Sequence, residues 1–136
     1  MKSGVLAAGV AIAAFAGCGA WAQNGDTGRT AFREIYEEMV EIDSSPTTGS
    51  CTKVVQAVEK RLMAAGYSGN DVQLIIPPGK PDDGNIVATL RAQNPSKKGV
   101  LLMGHIDVVD AKREDWERDP FTLFEENGFF YGRGTG

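Results

Sequence analysis

The sequence predicts an α/β domain, and three observations carry that expectation. Two amphipathic helical patterns come first, short apolar strand patterns follow, and the last of these is a continuous apolar run. The first helix is expected to begin at Arg29, after a flexible, polar, Gly-rich leader at residues 23–28. Phe32, Ile35, Tyr36, Met39 and Ile42 recur at steps of three and four, while Arg33, Glu34, Glu37, Glu38 and Glu41 occupy the other face. Asp43-Ser44-Ser45-Pro46 ends this pattern. A second helix opens on Ser50 as N-cap, places Val54, Val55, Val58, Leu62 and Ala65 on its inner face, and closes at Gly66. Residues 72–76 read as a strand stopped by Pro77-Pro78, residues 85–91 as a second, and residues 100–103 as the third and most apolar. A strand buried on both faces needs such an unbroken apolar run, so the third is expected at the centre of the sheet.

The opening residues read as an address rather than as part of the fold. Lys2 supplies a positive start, an apolar run follows from Val5 to Ala16, and Ala20-Trp21-Ala22 has the small-x-small form that signal peptidase accepts. Residues 1–22 are therefore expected to be a signal peptide, with Gln23 first in a periplasmic or secreted product. Two other readings keep the chain at a membrane: an uncleaved anchor, whose apolar core is short for a spanning helix, and lipidation of Cys18 in a lipoprotein-box-like Phe15-Ala16-Gly17-Cys18. Loss of residues 1–22 removes Lys2, leaving 13 basic against 18 acidic residues and a net charge of −5. That balance excludes the basic footprint by which nucleic acids and anionic membranes are recognised. Cys51 becomes the sole cysteine, so no internal disulfide can form and stability must come from packing or metal.

Chemistry is expected where the third strand ends. Ligands of open α/β sheets gather at the carboxyl ends of strands, and Gly104-His105-Ile106-Asp107 occupies that place. His105 is the only histidine, and alternation in an extended segment puts it on the same face as Asp107. A neutral imidazole beside a carboxylate is a metal ligand with its orienting partner; a histidine paired with an acid for structural reasons is the other reading of these residues taken alone.

Downstream pieces distinguish the two. Trp116, Asp119-Pro120-Phe121, a turn at Asn127-Gly128, and Phe129-Phe130-Tyr131-Gly132-Arg133-Gly134-Thr135 follow in order within about thirty residues. With His105-Ile106-Asp107-Val108-Val109 and the upstream Glu41-Ile42-Asp43-Ser44-Ser45-Pro46, this arrangement resembles the co-catalytic zinc exopeptidases and deacylases. That family includes glutamate carboxypeptidase, aminoacylase, acetylornithine deacetylase and succinyl-diaminopimelate desuccinylase. The resemblance covers residues 29–136 and implies the N-terminal part of a catalytic domain with helices packed on a mixed sheet. It also implies a separate lid or dimerisation domain, through which the protein would form a homodimer, and a small peptide or N-acyl amino acid as substrate.

The same resemblance implies residue roles. His105 corresponds to a ligand of one of two zinc ions, and Asp107 to the acid that orients the site. An aspartate bridging both metals is implied three residues beyond Gly134, past Gly136, with the glutamate pair and second histidine further on. One ligand cannot hold zinc, so these 136 residues alone are expected to be inactive. Glu125-Glu126 precedes the Gly-Arg-Gly turn and reads as part of a solvated hairpin rather than as that glutamate pair. Trp116 and Asp119-Pro120-Phe121 are expected to pack the long loop, and Arg133 to brace it or to meet a substrate carboxylate. Gly132-Arg133-Gly134-Thr135-Gly136 lacks the lysine and hydroxyl of a phosphate-binding loop. Two alternatives belong to other classes: an exported, non-catalytic envelope or binding protein, and a cysteine protease that would need His105 to activate Cys51.

Overall fold

The computed structural model describes residues 25–136, so the export-signal expectation for residues 1–22, Cys18 included, lies outside it. Helix α1 spans Gly25–Val40, so residues 25–28, expected in the flexible leader, form its first turn instead. Residues 27–30 are exposed, which is why no apolar stripe marks that turn in the sequence. Further along, Val40 is buried and Tyr36 and Met39 are half-buried, whereas Phe32 remains largely exposed.

Residues 43–50 form a tight loop organised around one carboxylate. Asp43 accepts the Ser45 amide on Oδ1 at 2.9 Å and the Thr48 hydroxyl on Oδ2 at 2.7 Å, while its carbonyl accepts the Ser50 amide at 2.9 Å. This is the local side-chain-to-backbone bonding that lets Asp replace a backbone turn. A β-carbon on Gly49 would fall 2.4 Å from the Ser45 nitrogen, so the loop closes only around glycine.

Helix α2 spans Cys51–Ala64 and supplies the deepest packing: Val54 and Val55 are each 1% exposed. Ser50 occupies the N-cap position in extended conformation, as expected, but its hydroxyl makes no capping bond. Thr52 anchors the start of the helix instead. Its amide donates to Asp82 O at 3.1 Å, its hydroxyl donates to Pro81 O at 2.6 Å, and the same oxygen accepts the Gly84 amide at 2.9 Å. At the other end Gly66 takes φ +93°, with Gly66 N–H donating to Met63 O and Tyr67 N–H to Leu62 O, both at 3.1 Å. That pair of bonds is a Schellman cap, and it explains why the helix stops at this glycine.

Strand β1 (Val72–Ile75) pairs antiparallel with β2 (Asn85–Ala88), Val72 opposite Ala88 and Ile75 opposite Asn85, and the ribbon packs on α2. A second ribbon joins β3 (Phe124–Glu126) to β4 (Phe129–Tyr131) through Asn127 at φ 53° and Gly128 at φ 81°. Two consecutive left-handed residues of type Asn-Gly make the tight hairpin turn whose twist matches that of paired strands. Helix α1 holds this hairpin. Tyr36 packs its ring on Phe130 at 5.3 Å between centroids, Arg33 pairs with Glu125 at 3.2 Å, and Glu41 Oε1 accepts the Leu123 amide at 3.3 Å.

The α/β class stands, the described residues forming two α-helices and two small antiparallel sheets. The expected central strand does not. Residues 100–103 join no sheet among the described residues, and Val100, Leu101, Leu102 and Met103 are 80–90% exposed. Apolar composition reports a preference for burial, but a strand exists only through ladder partners, and none of the four described strands pairs with this run. No described helix is long and apolar enough to cross a membrane.

Candidate functional site

Residues 104–109 run without a ladder, yet they alternate. Ile106 and Val108 are half-buried, while His105 and Asp107 face outward with side chains 84% and 67% exposed. The same-face pair expected from period-two geometry is therefore present. Nδ1 of His105 lies 3.2 Å from Asp107 Oδ1 and 3.1 Å from the Asp107 carbonyl oxygen. Both partners are acceptors, so a neutral ring satisfies them by carrying its proton on Nδ1, which leaves the Nε2 lone pair free to face a ligand.

What fixes the segment is the loop at residues 43–50. The buried Ser44 donates its hydroxyl to Ile106 O at 2.7 Å, between His105 and Asp107 in the chain. Thr47 grips Asp110 twice, amide to Oδ1 at 3.1 Å and hydroxyl to Oδ2 at 2.8 Å. These Thr47 bonds hold the Asp110 carboxyl below the usual carboxylate range. At Asp43 burial pushes upward, but the bonds from Ser45 and Thr48 outweigh it and lower the carboxyl as well.

The segment is the common wall of two clefts. One, of about 410 Å³, lies between it, Cys51 and the Asp82–Asp83 turn; the other, of about 280 Å³, lies beneath Tyr36, Arg133 and Gly134. Cys51 thus sits in the same cleft as His105. Burial, followed by the charges of Asp107 and Asp83, pushes its thiol up, and Sγ donates weakly to Ser44 O at 3.7 Å. A raised thiol opposes thiolate chemistry, which agrees with reading Cys51 as a small packing residue.

Arg133 braces the long loop. Its amide donates to Pro120 O at 2.7 Å, its guanidinium lies 4.9 Å from the Trp116 ring centroid, and its buried Nε has no partner among the described residues. Pro120 is buried and Asp119 Oδ1 accepts the Phe121 amide at 2.9 Å, so the Trp116 and Asp-Pro-Phe elements pack as expected. Gly134, at φ +83°, brings the backbone so near Val108 that a β-carbon would fall 2.7 Å from Val108 Cγ1. Glu125 and Glu126 lie on β3, in the hairpin expected for them.

Among the described residues no three of His, Cys, Asp and Glu converge as a metal shell. The donor set fits one imidazole ligand with its orienting carboxylate, which is what His105 and Asp107 alone would supply. The contacts of Ser44 and Thr47 with residues 106 and 110 have no counterpart in the sequence reading, in which Asp43–Pro46 ends one helix and Ser50 opens the next. The Asp, Ser and Thr content of residues 43–50 is also the composition of side-chain-bonded turns.

The order of these motifs on an α/β framework is similar to that of the metallopeptidase and deacylase class. Residues 101–136, which include His105, Asp107 and the Gly-Arg-Gly turn, match the model of peptidase family M20/M25/M40. The chain is 52% identical over 47 residues to the N-fatty-acyl-amino acid synthase/hydrolase PM20D1 of Mus musculus, covering 35% of this chain and 9% of that protein. It is 32% identical over 109 residues to the acetylornithine deacetylase of Vibrio atlanticus (strain LGP32), covering 76% of this chain and 27% of that protein. The acetylornithine deacetylase of Shigella sonnei (strain Ss046) is 33% identical over 106 residues, with the same coverage of 76% and 27%. The chain thus spans between 9% and 27% of the length of these relatives. Taken together, the matches make residues 101–136 similar to the M20/M25/M40 family, and the deacetylase alignments extend that likeness over 76% of the chain.

Proposed function

We propose that this chain carries the first metal-ligand segment of a zinc-dependent hydrolase of peptide or N-acyl amide bonds, and that it is inactive by itself. The observation that carries the reading is the His105–Asp107 pair, aligned on one face with the ring anchored through Nδ1. Relatives named as a deacetylase and an acyl-amino acid hydrolase support amide hydrolysis of small substrates. His105 Nε2 is the ligand in this reading, and Asp107 fixes the ring's tautomer and orientation. Zinc, when bound, supplies Lewis-acid polarisation of the scissile carbonyl. The chain's own contribution is to present one nitrogen in a set direction while Gly134 keeps the Gly-Arg-Gly turn against Val108.

The test is the source reading frame beyond codon 136. An aspartate at 137, then adjacent glutamates and a second histidine, supports the reading; an open frame without them overturns it. For the 136-residue chain itself, calorimetric titration with zinc should show no binding tighter than about micromolar, since one protein donor is too few. Chelator-sensitive turnover of N-acyl amino acids that disappears in His105→Ala would refute the inactivity of the isolated chain. Export belongs to the same proposal. Residues 1–22 act as a cleaved signal, and a mature product beginning at Gln23 supports this, whereas a retained Met1 or a lipid on Cys18 favours the membrane-attached alternatives.

A further inference from the structure

We infer that Ser44 and Thr47 are positioning residues: a two-point latch that sets the direction of the His105–Asp107 segment through its backbone, where no strand among the described residues pairs with it. The inference rests on the proposed reading of that segment as a metal-ligand strand, but its physical content does not involve metal.

The observations are independent of one another. Residues 104–109 have no ladder bonds, and the flanking residues 100–103 are almost fully exposed, so sheet pairing among the described residues does not fix the segment. Two contacts with the loop at residues 43–50 bracket it. Ser44, 4% exposed, spans 62 residues of sequence to reach the Ile106 carbonyl at 2.7 Å, and Thr47 spans 63 to engage both oxygens of Asp110. In an extended chain the carbonyls project sideways, roughly perpendicular to the side chains, so holding the Ile106 carbonyl fixes the rotation of the segment about its axis and with it the face that His105 and Asp107 share. The grip at Asp110 prevents the segment from swivelling about that one bond. The latch is itself rigid, because Asp43 ties Ser45, Thr48 and Ser50 into one turn and the buried side of the loop continues into α2.

A merely packing role for Ser44 would tolerate alanine, since the volume change is small; a latch would not. The experiment uses the full chain, metal-free, with backbone 15N relaxation and 13C carbonyl shifts. In the parent protein, residues 105–108 are expected to show order parameters near about 0.85, and Ser44→Ala is expected to lower them toward about 0.6. The Ile106 carbonyl should move upfield as it loses its hydrogen bond, and Ser44→Thr should restore both signals. Thr47→Val should loosen residues 108–110 more than residue 105. Unchanged order parameters and an unchanged Ile106 carbonyl shift in Ser44→Ala, with α2 resonances intact, would overturn the latch. If α2 resonances also collapse, the Ser44→Thr chain decides: restored order at residues 105–108 supports the latch, and its absence in a folded Ser44→Thr chain overturns it. The latch and the metal reading fail separately, because an open reading frame without the remaining ligands leaves these metal-free signals untouched.

Discussion

Two stretches of this chain are comparably apolar and meet opposite fates. Val54 and Val55 on α2 are each 1% exposed, whereas Val100, Leu101, Leu102 and Met103 lie open to solvent. The difference is not hydrophobicity but closure. Helix α2 satisfies its own backbone and then needs only one apolar surface, which the β1–β2 ribbon supplies. An extended run satisfies nothing by itself and needs a ladder partner before its side chains can be covered.

The largest effect should come from breaking the closed side. Val54→Ala is expected to destabilise the chain by about 2–3 kcal/mol, counting lost transfer energy and the cavity left behind, read as a lower urea midpoint. Gly134→Ala should cost about 1–3 kcal/mol, because the position has positive φ and no room beside Val108. Thr52→Val should cost about 1–2 kcal/mol by leaving the buried Gly84 amide without its acceptor, and proteolysis at the turn before β2 should accelerate. A smaller loss depends on pH. The lowered Asp43 carboxyl contributes stability that is fully present above the ordinary carboxylate pKa and disappears as pH falls through its depressed folded value. Asp43→Asn should therefore flatten the acid limb of the stability profile measured by circular dichroism. Smallest of all, Leu102→Lys should change stability by no more than about 0.5 kcal/mol while raising solubility, since the leucine is already exposed.

Much of the closed region was legible in the sequence. Ser50 and Gly66 bracket α2 to within a residue or two because backbone geometry at a helix's ends is locally encoded. Asn127-Gly128 announced the hairpin for the same reason. Period-two alternation placed His105 and Asp107 together, and it needs no tertiary information. What escaped was relational. The central-strand expectation for residues 100–103 assumed partners that no local pattern encodes, and β2 stops at Ala88 rather than at Arg91 because its register with β1 ends there. Likewise Ser44 and Thr47 matter through residues 62 and 63 positions away, a distance over which composition carries no signal.

The Tyr36 hydroxyl donates to Thr135 O at 3.0 Å, across 99 residues of sequence. On a ribosome adding roughly 5 to 20 residues per second, Tyr36 leaves the tunnel about 5 to 20 seconds before Thr135 does. During that interval Tyr36 has no hairpin to lie against, so the nascent protein presents its ring, beside the already exposed Phe32, to whatever waits at the exit tunnel.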